Sequence, residues 1–542
     1  MSNVLRPLVK LTIATLLLAA LMSAGPTLAG TEFSFDDDAQ LKAWKMPSGK
    51  WSIKNETLLQ SDGRLDSSIA WLSKPAYTDL DISVEFFVQP GKTGVLAAGL
   101  VFHGIDEKNY YLLHFDTRNK NVLWVRINPD GRGKDVRRHK CPQLSPGRWH
   151  TARLVVKGLV HKLYLDGKLF STDSDDALPA GYVGLRTAQG QVSFRNFSVS
   201  GNEVDAGKKL VIQPPKYGIV CSDAGAGAYE AFPDVCRTRS GELLCVFYAG
   251  YAHASPPRDK LPKGARIAIC RSKDDGLTWS AAETVVDTPI DDRDSSIIEL
   301  PSGDLLVTFM NFDLKRTKGT HQAYSVRSSD GGKTWSQPKP IDTPFAQLEA
   351  ISTPPRLMPD GRLLLTPYGN NTGDPRSYKH AAVLESRDEG RTWTTLAEIK
   401  SAKHLLLEPD LVRLPQGRLL MMMRAVMTSS ESTDGGHTWT DPKPVGIAGD
   451  CPYLLLTSKN ILLCGIRQRS TRSTCVLHST DFGRTWKSPV TIDPVLGAYP
   501  SMVELPDGRI FVVYYNEGGG SDVRYVYLDV DKDGVRILPR KL

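Results

Sequence analysis

One eight-residue pattern constrains this chain more than any other feature. Ser-x-Asp-x-Gly-x-Thr-Trp occurs five times, starting at Ser272, Ser328, Ser386, Ser432 and Ser479. Between these copies run short strands that reverse at turns such as Ser240-Gly241, Ser302-Gly303, Asp360-Gly361, Gln416-Gly417, Lys459-Asn460 and Asp507-Gly508. Each unit reads as strand, turn, strand, strand, patterned turn, strand. That is one four-stranded sheet of about 50 residues, and sheets repeated at this period stack radially into a propeller. Six such hairpins imply six blades over residues 216–542. The sixth lacks the pattern, and its outer edge is expected to be closed by a strand from near residues 209–221, because ring closure removes exposed sheet edges.

Residues 31–200 carry a different signal. Segments such as Asp81–Phe87, Tyr110–Phe115 and Ala152–Val156 alternate with period two between turns such as Asp166-Gly167. This spacing predicts a β-sandwich or jelly roll. The composition changes at 201–215 to Gly, Asp, Lys and Pro, which marks a linker. The predicted fold class is therefore all-β: a six-bladed propeller behind an N-terminal sandwich.

Arg6 and Lys10 precede an apolar run from Leu11 to Met22, and Thr27-Leu28-Ala29 offers a cleavage site. Residues 1–29 therefore read as a secretory signal, and the chain is expected to be exported to the periplasm or beyond the cell. No other segment is apolar enough to span a bilayer, so no membrane association is expected after its removal. The formal net charge of +7 over 542 residues is too small to argue for nucleic acid. Eight cysteines show no metal-type spacing. Most sit in apolar strands and read as buried hydrophobes, with a Cys236–Cys245 bridge across one hairpin left open. No metal site and no cofactor are expected, and nothing in the sequence sets an oligomeric state.

The repeated pattern is the Asp box, and on it residues 216–542 resemble the sialidase (neuraminidase) propeller superfamily. Gly147–Thr151, Leu163–Lys168 and Gly181–Leu185 resemble concanavalin-like jelly rolls and the 3-keto-disaccharide hydrolase domain. Asp boxes are structural, so the chemistry has to come from the ends of the inner strands that meet at the axis. Read blade by blade, those ends offer Glu230, Asp234, Tyr251 and His253, then Asp291, Asp292, Arg293 and Asp294. Glu349, Tyr368 and Asn370 follow, then Glu408, Asp410 and Arg424, then Asp450, Arg467 and Arg469, then Tyr499, Asn516 and Glu517.

The resemblance implies a Tyr nucleophile with a carboxylate partner, an arginine clamp for the substrate carboxylate, and an acid/base group. Tyr499 matches the nucleophile, Glu408 its base, and Arg424 and Arg467 two arginines of the clamp. A phenol has a pKa of about 10 and needs such a base, and guanidinium groups suit a carboxylate. The family's first arginine is missing, because Ala231 stands in its place within Glu230-Ala231-Phe232-Pro233. Arg293 is the candidate substitute. Asp259 and His253 are the two candidates for acid/base, while Asp292, Asp294, Glu349 and Asp450 complete the expected substrate pocket. The implied activity is retaining hydrolysis of a glycan carrying sialic acid or another carboxylated sugar. Two alternatives stay open: a non-catalytic glycan-binding protein, and a lyase of uronic-acid polysaccharides in which Tyr499 or His253 abstracts a proton.

Overall fold

The structure, a computed structural model, describes residues 30–539 except 92–95, 128–132, 176, 205–215, 314, 316–320, 372–379, 425 and 519. The expected signal peptide and residues 205–215 of the expected linker lie outside the described residues.

Residues Thr31 to Val204 form two antiparallel sheets face to face. Their longest strands, Ala76–Val88 and Val192–Val204, pair side by side at the middle of one sheet. Alternation along Ala76–Val88 turns Ile82, Val84, Phe86 and Val88 into the sandwich, where they meet Phe102, Tyr111 and Trp124 from the other sheet. Of the tryptophans of this domain, Trp44 and Trp124 are buried core residues, whereas Trp51, Trp71 and Trp149 are half-buried.

Six further sheets follow. Blade one comprises Tyr229–Arg237, Leu243–Gly250, Arg266–Ser272 and Glu283–Val286. Blade two runs from Asp291–Glu299 to Lys339–Ile341, and blade four from Leu407–Arg413 to Lys443–Ala448. Blade five runs from Asp450–Leu456 to Val490–Asp493. Blade three differs, since its inner positions are split into Gln347–Ala350 and Arg356–Leu357. Blade six contains Ala498–Glu504, Ile510–Tyr515 and Val523–Asp531. Gly218–Cys221 pairs with Val523–Asp531 and closes the ring, and Gly534–Ile537 pairs with that same strand.

Each Asp box ties its turn from inside. In the first, the Asp274 carboxylate accepts from Ser272 Oγ at 2.7 Å, Thr278 N at 2.9 Å and Thr278 Oγ1 at 2.5 Å, while Gly276 N donates to Ser272 Oγ at 2.8 Å. Each box turn also receives a donor from the preceding blade. Tyr527 of blade six bonds Asp275 O at 2.7 Å, Arg271 of blade one bonds Gly332 O at 2.7 Å, and Arg327 of blade two bonds Glu389 O. Arg362 of blade three bonds Gly435 O at 3.4 Å and Arg418 of blade four bonds Phe482 O at 2.6 Å. The boxes thus lie on the outer turns as staples between blades, away from the axis.

All eight cysteines are free thiols, and seven are buried. The Cys236–Cys245 bridge does not form. Cys236 pairs in register with Leu244 and Cys245 with Val235, so the two side chains fall on opposite faces of the sheet.

Candidate active site

The inner strands share one irregularity. In blades one, two, four, five and six the ladder skips two residues: Phe232-Pro233, Asp294-Ser295, Glu408-Pro409, Cys451-Pro452 and Tyr499-Pro500. The first residue of each pair has a left-handed backbone, with φ of 51°, 50°, 49°, 46° and 47° respectively. A β-bulge leaves its extra residue unpaired and re-aims that side chain. Proline, which lacks an N–H, fits the second position in four of the five. The five bulges converge, and Phe232, Asp294, Glu408, Cys451 and Tyr499 all line one narrow axial pocket. In blade six the chain reaches its bulge through Gly497, where a β-carbon would lie 1.4 Å from the Tyr515 carbonyl oxygen. Only glycine passes there.

At the centre, Tyr499 Oη donates to Glu408 Oε1. Arg424 faces the same carboxylate, with Nη2 2.9 Å from Oε1 and Nε 2.6 Å from Oε2. Cys451 N donates to Oε2 at 2.9 Å. Glu408 is almost wholly buried, so these partners replace water. Burial and the nearby charges of Glu408 and Asp294 push the Tyr499 phenol well above its ordinary value. The resting tyrosine therefore keeps its proton and presents it to Glu408.

Arg467 of blade five is fixed by the chain that enters blade six and by Tyr515 of that blade. Its Nε donates to Leu496 O at 3.0 Å and Gly497 O at 2.7 Å, its Nη2 donates to Tyr515 Oη at 3.3 Å, and its guanidinium lies 5.6 Å from the Tyr499 ring centre. Asp450 sits between the arginines, 3.5 Å from Arg424 and 3.9 Å from Arg467, and is paired with Arg469.

Arg293 precedes the blade-two bulge as Ala231 precedes the blade-one bulge, so the two hold equivalent ladder positions. Ala231 is fully buried. The Arg293 guanidinium reaches across to blade one, 5.5 Å from the Phe232 ring and 5.7 Å from the Tyr248 ring, and is 3.8 Å from Asp294. Its Nε has no hydrogen-bond partner among the described residues.

Two expected residues stand apart. Asp292 bonds Thr288 N at 2.7 Å and Thr288 Oγ1 at 2.8 Å, so it ties a loop rather than facing the pocket. Asp259 is exposed on the turn from Arg258 to Leu261. His253 stands nearer: its ring packs edge-on against Phe232 at 5.2 Å, and Phe232 packs against Tyr499 at 5.1 Å. Glu349 is half-buried on the split inner strand of blade three, close enough for its charge to bear on Tyr368.

Sequence reading passed over Phe232 and Cys451 as site residues, although the repeated x-Pro step marks both. It also passed over Arg356, which comes from the split strand of blade three and crosses to Asp410 in a 2.5 Å ion pair below the pocket. Among the described residues no cluster of His, Cys, Asp and Glu could hold a metal ion, and no helix is long and apolar enough to cross a membrane.

Residues 258–510 match the BNR repeat-like domain, and residues 31–200 match the 3-keto-alpha-glucoside-1,2-lyase-like domain. The second half of the chain is thus a six-bladed propeller that carries a BNR repeat-like match. It is similar to a sialidase of Micromonospora viridifaciens, 24% identical over 362 residues, which are 56% of this chain and 52% of that protein. A shorter stretch of 152 residues is 29% identical to an extracellular exo-alpha-L-arabinofuranosidase of Streptomyces chartreusis, covering 28% of this chain and 18% of the relative. The chain thus spans about half or less of the curated relatives it matches. In fold, it resembles the NanB sialidase of Streptococcus pneumoniae, with a TM-score of 0.50 at 14% identity over 84% of this chain and 95% of that one.

Proposed function

We propose that this sialidase-like propeller is a retaining glycoside hydrolase for glycans that carry an acidic sugar. The observation that supports it most is the Tyr499–Glu408–Arg424 cluster, in which bulges aim Tyr499 and Glu408 at one pocket and Arg424 faces Glu408. In this reading Tyr499 Oη attacks the anomeric carbon while its proton passes to Glu408. The glycosidic C–O bond breaks as His253 donates a proton to the leaving oxygen. Water then attacks the tyrosyl glycoside, gives its proton to His253, and the proton on Glu408 returns to Tyr499. His253 takes the acid/base role here, since Asp259 is turned to solvent outside the pocket. Arg424 and Arg467 hold the substrate carboxylate, and Arg293 stands in for the arginine that Ala231 lacks.

The likeness to a sialidase by sequence makes an α-sialoside the first substrate to try, and the arabinofuranosidase likeness adds an α-L-arabinofuranoside as the neutral comparison. The test is release from both fluorogenic glycosides by wild type and by Tyr499→Phe. Release from the sialoside that is lost in the variant supports the reading. Equal turnover by the variant removes it. Tight binding of glycans without turnover would instead favour a sugar-binding propeller, which is the reading that Ala231 supports.

A further inference from the structure

Beside Phe232, three side chains that the proposed chemistry does not use form a closed network. Tyr229 Oη donates to Glu517 Oε1 at 2.8 Å, and Tyr515 Oη donates to Glu517 Oε2 at 2.6 Å. His253 directs one nitrogen into it: Nδ1 lies 3.1 Å from Tyr229 Oη and 3.7 Å from Glu517 Oε2. Tyr229 spends its only proton on Glu517, so its oxygen accepts from His253 Nδ1–H. The other ring nitrogen, Nε2, makes no hydrogen bond within the described residues.

We propose that Glu517 is a positioning residue that acts through His253: together with Tyr229 it fixes the imidazole with Nδ1 protonated, so that Nε2 exchanges a proton with the glycosidic oxygen and then with water. This rests on the reading of His253 as acid/base above. The parts come from different blades. Tyr229 is on the inner strand of blade one, and Tyr515 ends the second strand of blade six, with Glu517 two residues beyond. His253 follows the second strand of blade one, with its side chain 62% exposed. A carboxylate behind the far nitrogen of a histidine, here 3.7 Å away and bridged by the Tyr229 phenol, favours one tautomer and stabilises the imidazolium formed during turnover. Burial alone would raise the Glu517 carboxyl, but the nearby His253 and the bonds from Tyr515 and Tyr229 bring it down to about 2, so it is charged at any working pH. The other charged or titratable groups around the network include Tyr248 from blade one, packed on Tyr229, Asp294 from blade two, whose charge reaches His253, Arg467 from blade five through Tyr515, and Tyr499 across Phe232.

The test is Glu517→Gln in the full-length protein, read two ways. First, the ring 15N signals of His253, assigned with His253→Asn, are expected to report a neutral ring protonated on Nδ1 in wild type and a mixture of the two tautomers in the variant. Second, kcat is expected to fall about 10- to 100-fold for aglycones that need protonation, with little change for a dinitrophenyl aglycone and an unchanged KM. Tyr229→Phe removes the bridging phenol while leaving the carboxylate, and is expected to move the His253 tautomer ratio in the same direction. It carries the test if Glu517→Gln fails to fold. An unchanged His253 tautomer in a folded variant overturns the assignment. So does an equal loss on both aglycones. A wild type that turns over no glycoside removes the hydrolase reading alone, because the tautomer signals decide the His253–Glu517 pairing without turnover.

Discussion

Tyr499 of blade six and Glu408 of blade four share one hydrogen bond across the propeller axis. The two residues lie 91 positions apart, and a left-handed backbone at each brings them together. Both bulges are stabilised by the layer beneath. Asp410 accepts from Leu454 N at 2.6 Å and holds Arg356, while Asp234 accepts from Ser501 Oγ at 2.6 Å and Ile297 N at 2.8 Å. Buried side chains from several blades thus fix the angle at which the site residues leave their strands.

Glu408→Gln is expected to reduce kcat on an α-sialoside by about 10³-fold with a smaller change in KM, since the neutral amide cannot take the phenolic proton. Arg424 loses its partner in the same variant, so thermal stability is expected to fall as well. Pre-steady-state kinetics and a melting curve measure the two effects separately.

Arg293→Ala is expected to raise KM for a carboxylated substrate, at a cost of about 2 kcal/mol, and to leave a neutral substrate almost unaffected. An equal loss on both substrates would assign Arg293 to packing on Phe232 and Tyr248 instead. Parallel Michaelis–Menten series on the two substrates decide between these outcomes.

The sequence carried the architecture because its repeats are local. Box spacing and turn residues depend on neighbours along the chain, so six blades and the closing Gly218–Cys221 strand were readable. Tyr499, Glu408, Arg424 and Arg467 could be named because each falls at a strand end that repeats from blade to blade. What the sequence hid was direction. Asp292 and Asp294 are two residues apart, yet one ties Thr288 and the other lines the pocket, because the bulge changes the alternation between them. The Tyr229–Glu517 bond spans 288 residues and depends on ring closure, which no local pattern reports.

Glu230 yields a prediction about stability. It is fully buried, one carboxylate oxygen lacks a hydrogen bond among the described residues, and burial pushes its pKa up to about 7. A raised folded pKa means that the folded state holds the proton more tightly. The contribution is therefore complete below the unfolded value near 4.5 and is lost as pH rises through 7. Glu230→Gln is expected to be more stable than wild type at pH 8, by on the order of 3 kcal/mol at most, and equal to it at pH 4. Urea denaturation at the two pH values checks this.

Asp388→Ala, in the third box, is expected to cost about 1–3 kcal/mol at pH 7 with KM unchanged, because it leaves the Ser386 and Thr392 donors of the turn unpaired. Bonds from Thr392 and Ser386 outweigh the raising effect of burial and hold the Asp388 carboxyl at about 2. A lowered folded pKa makes this contribution complete above 3.8 and lost as pH falls through 2. The difference between wild type and variant is expected to shrink in acid, as melting curves between pH 2 and pH 7 will register.

The central claim is that Tyr499 becomes covalently bound to the sugar. Intact-mass and peptide mass spectrometry of the protein treated with an activated fluorinated α-sialoside tests it most directly. One glycosyl adduct per chain is expected, on the peptide that contains Tyr499, and none in Tyr499→Phe. Turnover of the parent sialoside that yields the inverted anomer, with no adduct on Tyr499, would contradict it.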